Sequence, residues 1–117
     1  MLVSTRGGAT ASASSAILSG IAPDGGLYAP ESFPKLSMEE IMALAPLPYA
    51  KRAQRTLSLL LDDFTQEEIE TATQAAYGGG RFDQGKPAPV RRPNRNTGML
   101  ELFQGPNLAF KDMALQN

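Results

Sequence analysis

The sequence predicts an α+β fold: a small helical layer packed on a few short strands. Two capping boxes, each followed by apolar residues at helical spacing, supply the helices. Three short runs near residues 2–5, 27–29 and 99–103, bounded by glycine or proline, supply the strands. The chain has 117 residues, enough for one small domain with a modest core.

Taken in order, Leu2-Val3-Ser4-Thr5 reads as a short strand that ends at Arg6-Gly7-Gly8. Two hydroxyls and a guanidinium in succession can hold a phosphate; the plainer alternative, an edge strand with a polar turn, is preferred on the residues alone. Thr10 to Ser19 is helix-compatible, with Ser12 or Ser14 as cap, Ala16, Ile17 and Leu18 as apolar surface and Gly20 as stop. Pro23-Asp24-Gly25-Gly26 is a turn by composition, in which Asp24 can accept from backbone donors. A glycine pair can also cradle an anion, but no helix start follows directly. Leu27-Tyr28-Ala29 is extended and closed by Pro30.

Ser37 and Glu40 form the first capping box, and Met38, Ile41, Met42 and Ala45 share one face of the helix it starts. Pro46 ends that helix and Pro48 begins the next, where Ala50, Ala53, Leu57, Leu60, Leu61 and Phe64 recur at helical spacing and Lys51, Arg52 and Arg55 face outward. Thr65 and Glu68 form the second box, with Ile69, Ala72, Ala76 and Tyr77 as the buried face and Gly78-Gly79-Gly80 as the stop. The stretch 78–97, rich in glycine, proline and basic residues, reads as a long loop in which Val90 can start a strand.

Composition narrows the chemistry. Neither cysteine nor histidine is present, so disulfides, cysteine nucleophiles and the commonest general base are excluded. Lysine, carboxylates and hydroxyls remain. A formal net charge of −1 gives no general attraction to nucleic acid, and the Arg91-Arg92-Pro93-Asn94-Arg95 run lacks interleaved aromatics. No apolar run approaches the ~20 residues that span a bilayer, and the first residues do not read as a signal peptide. A cytoplasmic protein without nucleic-acid or membrane partners is expected.

The chemically richest stretch is Leu100 to Leu115. Leu100, Leu102 and Phe103, with Glu101, predict a short and mostly buried strand, opened by Gly98 and broken by Gly105-Pro106. Asn107 is a good N-cap for a helix over Leu108 to Gln116. Lys111 then lies in the first turn of a helix leaving a strand, a common location for ligand chemistry. The electropositive helix end and flanking Phe110 would favour its neutral, nucleophilic amine, while Asp112 would hold it in place. Such an amine forms Schiff bases with aldehydes. On this lysine alone, a solvated Lys111–Asp112 surface pair is the preferred reading.

The run Leu100-Glu-Leu-Phe-Gln-Gly-Pro-Asn-Leu-Ala-Phe-Lys-Asp112 resembles the cofactor-lysine segment of threonine synthases, close to L-E-L-F-H-G-P-T-x-A-F-K-D. Ser4-Thr5-Arg6-Gly7 is a second match. Leu18 to Glu31 is a third, similar to the family's L-x-G-L-A-P-D-G-G-L-Y-V-P-E. Gln104 stands where the family usually has His, Asn107 where it has Thr, and Leu2 where an aromatic is common.

The resemblance implies the N-terminal domain of a fold-type-II pyridoxal-phosphate enzyme several times longer. Residues 1–80 would be that domain, 81–98 a loop or linker, and 99–117 the truncated start of the catalytic domain. It implies conversion of O-phosphohomoserine and water into L-threonine and phosphate. Lys111 would be the catalytic residue and the Schiff-base anchor of pyridoxal 5'-phosphate. Asn107 and Phe110 would lie near the cofactor, and Thr5 and Arg6 near the substrate. The isolated piece is expected to be inactive. The alternative is a non-catalytic module that packs against a catalytic domain or partner.

Overall fold

A computed structural model describes residues 1–82 and 86–114. Strand β1 (Leu2–Ser4) is central in an antiparallel sheet of order β2-β1-β3, flanked by β2 (Thr10–Ala11) and β3 (Tyr28–Pro30). Leu2 faces both Ala11 and Pro30, and Ser4 faces Tyr28. Four helices follow the expected order: α1 (Ala13–Ser19), α2 (Met38–Leu44), α3 (Tyr49–Leu57) and α4 (Gln66–Tyr77). Strands β4 (Val90–Asn94) and β5 (Thr97–Leu100) form a separate antiparallel hairpin, and Phe110–Met113 is a 3₁₀ turn. The α+β class predicted from the sequence is the class observed. Among the described residues no helix is long and apolar enough to cross a membrane.

Local signals formed as read. Both capping boxes close reciprocally: Ser37 and Thr65 accept from the amides of Glu40 and Glu68, whose carboxylates accept in return. Such caps are worth about 1 kcal/mol each. Ser12 caps α1 by accepting from Ser15, and Gly20 and Gly78 end α1 and α4.

Longer-range expectations needed correction. Thr10 and Ala11, expected at the start of a helix, pair with β1 instead, because β-branched Thr10 suits a strand and Ser12 starts α1 only afterwards. Pro48 sits just before α3 rather than inside it. That helix stops at Leu57, not Phe64: the Thr56 and Ser58 hydroxyls bond back to the Arg52 and Arg55 carbonyls, and the chain turns. On α4, Thr73 is buried in place of Ala72; its hydroxyl donates to the Ile69 and Glu70 carbonyls, which satisfies it in the core. The apolar face of α2 is exposed, with Met38 at 71% and Met42 at 65%. Ile17 and Leu18 of α1 are also exposed.

The core is small and alanine-rich: Ala13, Ala16, Ala22, Ala50 and Ala76, with Ile69 and Phe82. Helices α3 and α4 pack on each other. At the end of α4, Tyr77 meets the edge of Tyr49 at 5.0 Å and stacks on Phe82 at 6.1 Å. Polar ties hold the segment between α3 and α4 to the rest of the unit: Asp62 pairs with the Met1 amine, beside β1, at 2.7 Å, and Asp63 accepts from the Ser14 amide and hydroxyl of α1. The hairpin lies largely within the stretch expected as a loop. Val90 does start a strand, and β5 ends at Leu100, so Leu102 and Phe103 are not in a strand. Nor is β5 buried; every residue of it is exposed.

Candidate functional site

Two clusters contain the residues singled out above. The first surrounds Asp24. Its Oδ1 accepts from the Ser4 hydroxyl at 2.7 Å and the Gly26 amide at 2.9 Å, and its Oδ2 accepts from the Gly8 amide at 2.9 Å. One carboxylate thereby joins β1, the turn after it and the Pro-Asp-Gly-Gly turn. Those donors, with the Ser4 hydroxyl first, hold the Asp24 carboxyl below the usual carboxylate range. Backbone amides that could have cradled an anion are already satisfied by it. Ser4 is buried and committed to Asp24. The Thr5 hydroxyl accepts from the Leu27 amide, and the exposed Arg6 guanidinium donates to the Asp24 carbonyl at 3.2 Å.

The depressed carboxyl makes an acid-sensitive element. Its contribution to stability is fully present above the unfolded value near 3.8 and is lost as pH falls through the lower folded value. In the Asp24→Asn variant an NH₂ group would confront the Gly8 amide. The thermal midpoint of this variant is expected to lie below that of the parent by a constant amount above about pH 5, with the gap closing below pH 4. A gap that stays constant down to pH 2 would rule out the carboxylate's role.

The second cluster is the lysine turn. Asn107 was expected to cap a helix. Instead its backbone amide and side-chain amide both donate to the Asp112 carboxylate, at 2.8 and 2.7 Å. Leu108 takes a positive φ of 53°, and the 3₁₀ turn begins only at Phe110, preceded by Ala109 with no side-chain cap. The expected helix over Leu108 to Gln116 is therefore replaced by this turn as far as Ala114; Leu115 and Gln116 lie outside the described residues. Asp112 is buried at 4% exposure beneath Gly105, where an added Cβ would lie 2.4 Å from that of Asp112.

Lys111 projects from this turn and is exposed, as is Phe110 at 66%, so the described residues give the amine no apolar cover. No ion pair joins Lys111 to Asp112 or to another carboxylate among the described residues. By accepting from Asn107, the Asp112 carboxylate closes the turn that presents Lys111. The sequence carried a local signal for this, an Asn just after a glycine-proline bend, followed five residues on by Asp. Upstream, the Gln104 amide donates to Glu101 at 2.8 Å. An open cleft of about 440 Å³ runs beside the bend, between Arg81 and Phe82 on one side and Phe103 to Pro106 on the other. Among the described residues, no hydrogen bond or ion pair links Thr5 or Arg6 to Lys111.

The α+β unit has clear structural counterparts. The chain superimposes on a solved PLP-bound threonine synthase from Brucella melitensis with a TM-score of 0.86 and 38% identity, covering 95% of this chain and 24% of that one. In class, the fold is that of the N-terminal region of threonine synthases.

Sequence comparison agrees. A threonine synthase from Pseudomonas aeruginosa is 40% identical over 116 residues, 97% of this chain and 24% of its own length. A protein named threonine synthase-like 1 from Homo sapiens is 41% identical over 106 residues, 88% of this chain and 14% of its own length. Residues 1–77 match the family described as the threonine synthase N terminus, and the chain belongs to that family. It spans about a quarter or less of the length of these relatives.

Proposed function

We propose that this chain is the front portion of a pyridoxal-phosphate-dependent lyase, a threonine synthase, which converts O-phosphohomoserine and water into L-threonine and phosphate. The observation that carries the reading is the Lys111 amine, exposed and unpaired among the described residues on a turn locked by Asp112. An exposed primary amine can attach an aldehyde cofactor covalently, and Lys111 is the residue that would do so here. When bound, the cofactor ring supplies an electron sink for the substrate carbons. Lys111 would hold the cofactor and would serve as the group that moves protons on the substrate carbons.

The other roles follow from position. Phe110, exposed beside the lysine, offers an apolar face to whatever encloses the site. Asn107 keeps its amide oxygen as an acceptor while its N–H groups secure Asp112. Thr5 and Arg6, displayed at the end of β1, are the groups we assign to the substrate. Residues 1–80 would then form the N-terminal domain, 81–98 the connection and 99–117 the opening of the catalytic domain. We assign the enzyme to the cytoplasm; cell fractionation tests this.

Borohydride reduction of the full-length protein, followed by peptide mass mapping, tests the central assignment. A pyridoxyl group on Lys111 is expected. A label on Lys35, Lys51 or Lys86 would refute it. Run in parallel, the 117-residue chain alone is expected to release no phosphate from O-phosphohomoserine, because a cofactor must be enclosed from several sides. Phosphate release by the chain alone would show that the site is complete within it. The alternative, a non-catalytic packing module, draws support from the exposed face of α2; it is favoured if the full-length protein takes no label.

A further inference from the structure

We propose that Tyr77 is a positioning residue for Lys111, and that through its hydroxyl the helical layer fixes the turn on which the lysine stands. This rests on the reading of Lys111 given above. The Tyr77 hydroxyl donates to the Met113 carbonyl at 2.9 Å, across 36 residues of sequence. Met113 is the last residue of the 3₁₀ turn that contains Lys111, and the Ala114 amide bonds back to the Lys111 carbonyl. The tie therefore acts on the turn's far end, while Asp112 closes its near end through Asn107.

Tyr77 is well placed to be a fixed point. It is the last residue of α4, and its ring is held between Tyr49 and Phe82. Phe82 is buried at 3% exposure, and Tyr49 is carried by α3. The ring is thus anchored by two elements of the core, and its hydroxyl is the one polar group it extends to the lysine turn. A four-residue 3₁₀ turn has little stability of its own. An anchored hydrogen bond at its end narrows the positions open to Lys111. Reactions that depend on near-attack geometry are sensitive to such narrowing.

The test uses Tyr77→Phe in the full-length protein, which keeps the ring stack and removes only the hydroxyl. Hydrogen exchange in the cofactor-free protein is read on the amides of residues 108–114. Losing a bond worth about 1 kcal/mol should speed their exchange about fivefold. In the loaded enzyme, kcat is expected to fall about tenfold with KM within about twofold, since a mislaid proton-transfer group slows the chemical step more than binding. Unchanged exchange would overturn the tie. Faster exchange with unchanged kcat would overturn the positioning role, leaving a structural bond only. A loss of kcat that disappears when the assay is run well below the variant's thermal midpoint would do the same. Mapping the borohydride label in the parent protein separates the two readings: a label on another lysine defeats the Lys111 assignment, and the positioning role with it, while the exchange result still reports on the bond.

Discussion

Lys111→Ala in the full-length protein is expected to cut kcat/KM for O-phosphohomoserine by at least about 10³-fold, while the thermal midpoint of the cofactor-free variant stays within about 1 °C of that of the cofactor-free parent. The two halves come from different observations. The amine is assigned both the covalent hold on the cofactor and proton transfer at the substrate carbons, and positioned acid–base groups alone contribute about 10² to 10⁴. The side chain is exposed and forms no ion pair among the described residues, so its removal takes nothing from the fold. Exposed substitutions of that kind usually fall within about 0.5 kcal/mol. Lys111→Arg should be as inactive as the alanine variant, because a guanidinium keeps the charge and loses the nucleophile. Steady-state kinetics and calorimetry check both. An active Lys111→Arg enzyme would mean that only the charge matters, and the covalent role would fall.

The residues that the sequence made legible are those whose partners lie close along the chain. Ser37 with Glu40 and Thr65 with Glu68 close boxes three residues apart, and Asp24 bonds the Gly26 amide two residues on. Spacing alone carries such information. The same locality explains why α3 was read too long: Leu60, Leu61 and Phe64 fit the helical period, but the hydroxyls of Thr56 and Ser58 compete for its last carbonyls. Periodicity counts apolar residues and does not see that competition.

Other features depended on partners distant in sequence. The choice of Thr73 over Ala72 for the inner face of α4 follows from the packing of α4 on α3, not from hydrophobicity. The pairing of β4 with β5 turned a basic, proline-containing run into a hairpin, because Val90 and Leu100 come opposite each other. Within the site, the prominence of Lys111 was readable from its glycine-proline bend. The direction in which Asp112 points was not, since nothing in an adjacent Lys and Asp shows that Asn107 supplies donors to the carboxylate.

That arrangement makes Gly105 the backbone position on which the lysine turn depends most closely. In Gly105→Ala the new methyl would lie 2.4 Å from the Asp112 Cβ and 2.5 Å from its Oδ2, closer than atoms can approach. Asp112 is buried, so its side chain cannot swing into solvent without giving up the Asn107 bonds. Forcing an extra methyl into such a place costs about 1–3 kcal/mol, and displacing the carboxylate undoes the bend that presents Lys111. The variant in the full-length protein is expected to exchange the amides of residues 107–112 at least tenfold faster and to lose at least tenfold in kcat. Coupling to Asp112 distinguishes this cause from a general loosening. If the methyl acts by striking the Asp112 side chain, Asp112→Ala should add less in the Gly105→Ala background than alone, because there it also relieves the collision with Oδ2 and Cγ. Strict additivity, within about 0.5 kcal/mol, would mean that the two residues act independently. The lock beneath Lys111 would then have to lie elsewhere in the turn.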